Sequence, residues 1–537
     1  MTHQAQLIFV LLLLFVIGFG TLAQRLRVPY PILLVVAGLL LSPFPRLFPR
    51  LPRIALDPDF VFLAVLPPLL FAAACQTSWR EFRFNLVSIL GLAFGLVIFT
   101  VLGISLAAHF LLPGFDWRLG LVLGAVVAPT DAIAATAIGQ RLGLPSRITD
   151  LLEGESLVND ATGLLALELA SALIITGHFP PFGEGALRFV LLVAGGIGMG
   201  LIVAKLVYLV HRRIDNTPIE ITLTLVTPYV AYMAAEEVKA SGVLAAVAAG
   251  LYIGRKASYI YSSRLRLDAV SVWSTLTFVL NGVVFVLIGL QLPYILVGIR
   301  HITIRELFVD ALEFSIAVIL LRLIWVYPGA YLSYYIRRRF FHEEVQTPSA
   351  RAIFVVGWTG MRGVVSLAAA ISLPASIANG QPFPNRSYII FLTFCAIVVT
   401  LVLQGLTLPP LIRALGLSGS EAGNEEHTQA RTAMLKAALA RLEELRGGRD
   451  PRFEAIYDEF SRMYRRQLGA LTASHEESGG KASEISDFQE HYRTVVREIC
   501  AAERSAMLAL RNQNVIGDAV LRGLERELDL IEVRYGS

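Results

Sequence analysis

The sequence is short of cysteine and of charged residues. Its 537 residues include three cysteines, Cys75, Cys395 and Cys500, which lie too far apart for a metal-binding or redox motif. Only 16% of the residues are charged, whereas roughly 25% is usual in soluble domains. Gly-x-Ser-x-Gly and His-Glu-x-x-His motifs are also missing. The sequence therefore predicts neither an enzyme nor a bound cofactor.

The sequence is rich in long apolar runs. Hydrophobic residues make up 55% of the chain, and runs of about 20 apolar residues are long enough to cross a bilayer. We therefore predict an all-α polytopic membrane protein. The first run, Leu7 to Ala23, has no preceding Lys or Arg, so it is expected to be a membrane helix rather than a cleaved signal peptide. Thirteen candidate spans follow from the hydropathy pattern: 7–23, 30–42, 58–76, 85–112, 117–139, 150–177, 186–211, 218–236, 241–254, 270–298, 307–336, 350–373 and 388–415.

Charge divides the chain in two. Residues 1–417 hold 29 basic and 21 acidic residues, and residues 418–537 hold 17 and 21. The cytoplasmic bias of basic residues in membrane proteins explains the first excess, so no nucleic-acid partner is expected. Alternate loops carry 16 against 9 basic residues, which predicts a multi-pass cell-membrane protein with its N-terminus outside and its C-terminus in the cytoplasm.

The composition changes after Gly416, where the apolar spans end. Apolar residues recur at helical spacing over residues 428–447 and 487–530, and a Gly- and Ser-containing loop is expected over 474–483. We therefore predict a membrane domain over residues 1–417 and a cytoplasmic helical domain over 418–537. The second domain serves either dimerisation and stability or regulation, and its partner is unknown.

The segment from Gly124 to Asp131 contains the first polar motif within an apolar run. Pro129 lacks a backbone N–H and clashes with the preceding helical turn, so it predicts a break in the helix. Interrupted backbone at membrane depth occurs where it is buried in protein or lines a watery cavity, and transporters use it to hold cations. Thr130 and Asp131 lie at the break and are candidate ligands.

The second motif, Glu155-Ser156-Leu157-Val158-Asn159-Asp160, places ionisable groups inside another apolar run. Ser156 and Asp160 are four residues apart, so a hydroxyl and a carboxylate share one helical face, with Asn159 beside them. Burial favours the protonated form of a carboxyl group, and an arriving cation would displace that proton. A site that accepts either ion in turn exchanges them, and Asp160 is the predicted carrier.

The third motif runs from Gly357 to Leu367 and places Arg362 among glycines within an apolar span. A buried arginine needs an acidic partner, and Glu155 is the acid that the other motifs leave unused; the two are predicted to form an ion bridge. The broken spans are the fifth and the twelfth. This spacing predicts two inverted six-span halves in which two interrupted helices cross.

With these three motifs the chain resembles the sodium/proton exchangers of the cation:proton antiporter superfamily, in particular the bacterial NhaP and eukaryotic NHE types. The resemblance covers residues 7–415. It extends to Leu66-Pro67-Pro68-Leu69-Leu70-Phe71 and to the segment from Phe278 to Pro293.

The resemblance implies a 13-helix inverted-repeat fold, a homodimer, and a mobile core beside a dimerisation domain. By similarity, Asp160 carries the cation and the proton, with Na⁺ held by Asp160, Ser156 and Thr130, and Asp131 adds a ligand or shapes the site. Asn159 supports Asp160, and the Asn-Asp pair resembles the electroneutral branch, which exchanges one cation for one proton. Ala72 stands where many relatives carry an acidic residue, so the choice between Na⁺, K⁺ and Li⁺ stays open.

Other functions remain as alternatives. One is a K⁺/H⁺ antiporter regulated by the C-terminal tail. Another is an intramembrane aspartyl protease that uses Asp131 and Asp160, although no Gly-x-Gly-Asp-like motif surrounds either residue. A third is a membrane sensor that does not transport. The remaining intramembrane charges, Glu168 and Arg322 among them, are expected to have structural roles, with Arg322 holding helices together.

Overall fold

The chain forms helices throughout the part that its structure describes. The computed structural model describes residues 2–42, 56–112, 114–178, 182–299, 302–342, 347–377, 380–418, 421–446, 454–476 and 481–513, with residues 524, 528 and 530. Within these ranges there is no β-strand. The chain divides into two compact units, Met1–Ser420 and Glu421–Ser537, and each is described by itself below.

Helices of the first unit follow the apolar runs of the sequence. They are α1 (Thr2–Leu26), α2 (Tyr30–Leu41), α3 (Phe60–Gln76), α4 (Trp79–Phe84), α5 (Leu86–Leu111), α6 (Trp117–Val127), α7 (Ile133–Leu142), α8 (Ser146–Thr176), α9 (Phe182–His211), α10 (Thr217–Glu237), α11 (Gly242–Ile260), α12 (Ser263–Leu290), α13 (Leu292–Val297), α14 (Ile304–Phe340), α15 (Ala350–Trp358), α16 (Val364–Ile371) and α17 (Arg386–Ala414). Three of them contain a wider, π-helical turn, at Phe60–Val65, Gly91–Leu96 and Thr400–Gln404.

Six of the described helices are long and apolar enough to cross a membrane: Gln6–Leu26, Leu86–Leu111, Ser146–Thr176, Gly183–His211, Arg264–Val297 and Arg386–Ala414. Length limits this set of helices, because a helix needs about 20 residues to cross the bilayer. Shorter apolar helices at Tyr30–Leu41, Phe60–Gln76 and Trp117–Val127 accompany them. Two predicted spans are each divided into a pair of short helices, α6 with α7 and α15 with α16.

Helices of the first unit pack in two groups. The core group comprises α5–α8 and α14–α17, in which α5 packs on α6, α6 on α8, α14 on α15 and α16 on α17. The scaffold group comprises α1–α3 and α9–α12, in which α9 packs on α11, α3 on α11 and α2 on α12. Gly38 and Gly289 allow α2 and α12 to approach closely, because a Cβ on either would overlap the backbone of the facing helix.

Both interruptions in the core group lie where the sequence predicts them. The first covers residues 128–132, between α6 and α7, and contains Pro129. The second covers residues 359–363, between α15 and α16, and contains Gly360 and Gly363. Proline removes a helical hydrogen bond and glycine lowers helix propensity, so both segments leave the helix at the expected residues.

The second unit contains α18 (Glu421–Arg446), α19 (Glu454–Glu476) and α20 (Lys481–Asn512). Arg446 links the first two of these helices through ion pairs with Glu454 and Asp458. The sequence analysis did not predict α19. The expected loop over 474–483 lies partly outside the described residues, and helix is present up to Glu476 and from Lys481 onward. Most of the predicted helical stretch after residue 513 also lies outside the described residues.

Candidate ion-binding site

The two interrupted helices meet at Asp131. Its backbone N–H donates a hydrogen bond to the carbonyl oxygen of Met361, at 2.8 Å. Its carboxylate oxygen Oδ1 accepts a hydrogen bond from the N–H of Ile133, at 2.9 Å, and so satisfies a free donor in the first turn of α7. The carboxylate also lies against Gly363, where a Cβ would overlap it. Asp131 therefore joins the two breaks as a structural element of the crossing.

Asp160 lies on α8 close to this crossing. Its residue is only 6% exposed, and it is near enough to Asp131 for their carboxyl groups to interact electrostatically. In the described part of the chain, no group donates a hydrogen bond to the Asp160 carboxylate and no cation pairs with it. A buried carboxylate without a partner is costly, and binding a cation or a proton removes that cost.

A chain of polar contacts fixes the residues next to Asp160. The Nδ2 of Asn159 donates to the hydroxyl of Thr130 at 2.7 Å, and that hydroxyl donates to Oε1 of Glu155 at 2.9 Å. Since Nδ2 is occupied in this way, the remaining amide oxygen, Oδ1 of Asn159, is buried and has no hydrogen-bond partner. These contacts connect the first break to α8 and leave one buried oxygen without a partner on the residue that precedes Asp160.

Glu155 pairs with Arg322, not with Arg362. The Nη2 of Arg322 donates to Oε2 of Glu155 at 2.8 Å and Nη1 donates to Oε1, so the pair is bidentate. Both side chains are 1% exposed. Nη2 of Arg322 also donates to the carbonyl of Val356 on α15, at 3.1 Å. Arg322 thus links α14 to α8 and α15, which agrees with the structural role that the sequence analysis expected.

Arg362 instead binds the backbone at the two breaks. Its Nε donates to the carbonyl of Val127 at 3.1 Å, and Nη1 donates to the carbonyl of Gly360. Its own N–H donates to the hydroxyl of Thr400, at 3.2 Å. Carbonyls at a helix end lack partners within the helix, and a guanidinium supplies them. The predicted Glu155–Arg362 bridge is therefore wrong, because Arg362 is used by the backbone that the breaks set free.

The remaining predicted ligands differ in their freedom to bind an ion. Ser156 is half-buried one turn before Asp160 on α8. The Thr130 hydroxyl both donates and accepts within the contact chain, so it is already engaged. Ala72 is buried on α3 and brings no oxygen beyond its backbone. The sequence analysis missed Thr400 and gave Arg322 no partner. The position of Arg322 deep in an apolar run was the only sequence signal that it needs a buried acidic partner.

A helical membrane unit with two crossed, interrupted helices beside a buried carboxylate is the architecture of a secondary transporter. The chain belongs to the sodium/hydrogen exchanger family, because the sequence profile described as "Sodium/hydrogen exchanger, transmembrane" matches residues 10–414. Its named relatives are exchangers and antiporters, not enzymes. The recognition made from the motifs is thereby confirmed.

Individual relatives agree with this assignment. The chain is 35% identical over 540 residues to an uncharacterised Na⁺/H⁺ exchanger of Mycobacterium tuberculosis, covering 98% of this chain and 96% of the relative. It is 29% identical over 544 residues to the sodium, potassium, lithium and rubidium/H⁺ antiporter of Bacillus subtilis, covering 98% and 78%. The structure of the sodium proton antiporter MjNhaP1 from Methanocaldococcus jannaschii at pH 8 matches 77% of this chain and 99% of its own, with a TM-score of 0.57 and 19% identity. This likeness confirms the membrane antiporter fold.

Proposed function

We propose that the protein exchanges a monovalent cation, Na⁺ in the first instance, for H⁺ across the cell membrane, with one cation for one proton. Asp160 is the shared site, and cation and proton occupy it in turn as the core group moves relative to the scaffold group. Family membership supports cation/proton exchange. The assignment to Asp160 rests on its burial without a partner beside the crossing of the two breaks.

The proposed Na⁺ ligands are oxygens around Asp160. They are the Asp160 carboxylate, the hydroxyl of Ser156 and the backbone or hydroxyl oxygen of Thr130, with Asp131 shaping the site. The free Oδ1 of Asn159 supports this proposal, because a buried acceptor without a donor is the kind of group that a cation satisfies. Glu155 and Arg322 hold this arrangement together, since they neutralise each other and connect three core helices.

The proposed architecture is thirteen spans, arranged as two inverted six-span halves around an additional helix, in a homodimer. We assign these thirteen spans to α1, α2, α3, α5, the pair α6/α7, α8, α9, α10, α11, α12, α14, the pair α15/α16 and α17. The proposed orientation has the N-terminus outside and the C-terminus in the cytoplasm, as the loop charges indicate. With this orientation α8 runs outward, from Ser146 inside to Thr176 outside.

The second candidate function is exchange of a broader range of cations, in particular K⁺/H⁺ exchange regulated by the tail. Ala72 favours it, because this position lacks an acidic side chain. The relative from Bacillus subtilis bears a name that includes sodium, potassium, lithium and rubidium. A site that lacks one acidic ligand binds a small, strongly hydrated cation less tightly, so it separates Na⁺ from K⁺ less sharply. Comparing Na⁺, Li⁺ and K⁺ in one assay decides between the candidates.

The test uses purified full-length protein in liposomes with an imposed pH gradient. Added Na⁺ is expected to dissipate the gradient, Asp160→Asn is expected to abolish this, and a clamped membrane potential is expected to leave the rate unchanged. Competition further predicts that the half-saturating Na⁺ concentration rises as the pH falls. Exchange at the normal rate in a folded Asp160→Asn variant would refute the carrier assignment. Failure of Na⁺, Li⁺ and K⁺ alike would refute the exchange itself.

A further inference from the structure

A cavity of about 410 Å³ lies beyond Asp160 in the direction in which α8 ends. Its α8 wall consists of Leu164, Leu167, Glu168 and Ser171. These residues follow Asp160 by 4, 7, 8 and 11 positions, which is the spacing of one helical face. The cavity therefore continues the face of α8 that carries Asp160.

Both helix groups border this cavity. The scaffold group contributes residues 59, 62 and 63 at the start of α3 and Tyr232 of α10, and the core group contributes α8 and residues 372–374 after α16. A second cavity shares Leu164, Glu168 and Tyr232 with the first one and reaches Arg188. A space bounded by two groups changes its shape when the groups move against each other.

Glu168 and Arg188 connect the two groups across this space. The Nη2 of Arg188, on scaffold helix α9, contacts Oε1 of Glu168, on core helix α8, at 2.5 Å. Their side chains are 62% and 47% exposed, so neither is locked in place by packing. Beside the pair, the rings of Phe94 on α5 and Phe189 on α9 meet edge to face, 5.5 Å apart.

We propose that Glu168 and Arg188 form an ion-paired gate at the outer mouth of the path to Asp160. Arg188 holds the gate closed by occupying Glu168, and separation of the pair exposes the Glu168 carboxylate to the entering cation before that cation reaches Asp160. Eight residues of helix place the two carboxylates about 12 Å apart. The gate rests on the proposed exchange function and orientation. It gives Glu168, for which the sequence analysis expected only a structural role, a part in the entry of the cation.

The signs of the expected effects follow from the net charge at the mouth. Glu168→Gln leaves Arg188 unpaired and repels cations, whereas Arg188→Gln leaves Glu168 unpaired and attracts them. One unit charge at the position of Glu168, about 12 Å from Asp160, changes the half-saturating cation concentration by about two- to threefold at low ionic strength, and less at high salt. The double variant restores neutrality, so its half-saturating concentration is expected to return close to that of the original protein.

The first measurement compares outer and inner half-saturating Na⁺ concentrations in oriented membrane vesicles. Glu168→Gln is expected to raise the outer value, Arg188→Gln to lower it, and both to leave the inner value unchanged. Glu306→Gln on α14 and Arg118→Gln on α6 remove single exposed charges near the starts of other helices and serve as matched controls. Equal changes from both faces, or no change in either single variant, would overturn the gate.

A second measurement adds a readout that does not require transport, the formation of a covalent link between the two positions. Glu168→Cys and Arg188→Cys are combined in a chain whose three native cysteines are replaced, and a reducible bifunctional thiol reagent is added to membranes. The link is expected to form, to stop exchange, and to release it on reduction. Absence of the link, or exchange at full rate while it is present, refutes the gate. A link that forms in a chain with no exchange at all points to failure of the proposed function instead.

Discussion

Glu155 should be energetically coupled to Arg322 far more strongly than to Arg362. The structure pairs Glu155 and Arg322 through two hydrogen bonds, with both side chains 1% exposed. In the described part of the chain, Arg362 makes no hydrogen bond to Glu155 and binds two backbone carbonyls instead. The test is therefore a pair of double-mutant cycles, Glu155→Gln with Arg322→Met and Glu155→Gln with Arg362→Met.

Single variants alone would not separate the two arginines. Arg322→Met leaves a buried carboxylate without its partner, which costs about 3–5 kcal/mol. Arg362→Met leaves two backbone carbonyls without a donor, at about 1–3 kcal/mol each, so the totals overlap. The interaction free energy differs, because neutralising Glu155 removes the penalty of the first variant and not that of the second. We expect coupling of about 2–4 kcal/mol for Arg322 and less than about 1 kcal/mol for Arg362.

The assay is unfolding in mixed micelles with increasing SDS, which yields free energies for all variants under one condition. The exposed pair Arg264–Asp268 provides the control, since its atoms are 3.9 Å apart and its side chains are 63% and 48% exposed. Such a pair contributes at most about 1 kcal/mol. Coupling of Glu155 to Arg362 that equals or exceeds its coupling to Arg322 would refute the pairing described here.

Three further predictions concern residues at the crossing. Thr130→Val removes a hydroxyl that donates to Glu155 and accepts from Asn159, so the free energy of unfolding should fall by about 1–3 kcal/mol, while Thr130→Ser should retain most of it; SDS titration measures both. Gly363→Ala places a Cβ where the Asp131 carboxylate lies, so the exchange rate in liposomes should fall sharply although the protein remains folded by circular dichroism. Asp160→Asn removes a buried charge that has no partner, so its melting temperature in detergent should not decrease; a clear decrease would show that the carboxylate is paired.

Features determined by local chemistry could be read directly from the sequence. Pro129 and the glycines at 360 and 363 forbid or weaken helix where they stand, and both breaks lie there. The approximate positions of the spans followed from the apolar runs. At the ends, polar capping extended several helices beyond the predicted limits, for example α12, which begins at Ser263 instead of residue 270 because Ser262 caps it.

Partner choice could not be read in the same way. Two buried arginines, Arg322 and Arg362, are possible partners for one acid, Glu155. Hydropathy indicates how deep a residue lies in a span, but not the direction in which its side chain points. The interruption at residues 359–363 decides the outcome, because Arg362 there donates to the carbonyls of Val127 and Gly360, which lack helical partners at the two breaks. The missed helix α19 has a related cause. Its sequence is rich in charge, and its large apolar residues Ile456 and Phe460 are about half exposed, so composition alone did not distinguish it from a loop.

The hydrogen bond from the Asp131 N–H to the Met361 carbonyl joins the two interrupted segments through main-chain atoms. Any substitution at these two positions other than proline at 131 leaves both bonding groups in place. Under the exchange function proposed above, this link favours movement of the two breaks as one unit. Variants whose side chains alter cation preference are therefore expected to keep the same coupling between the breaks.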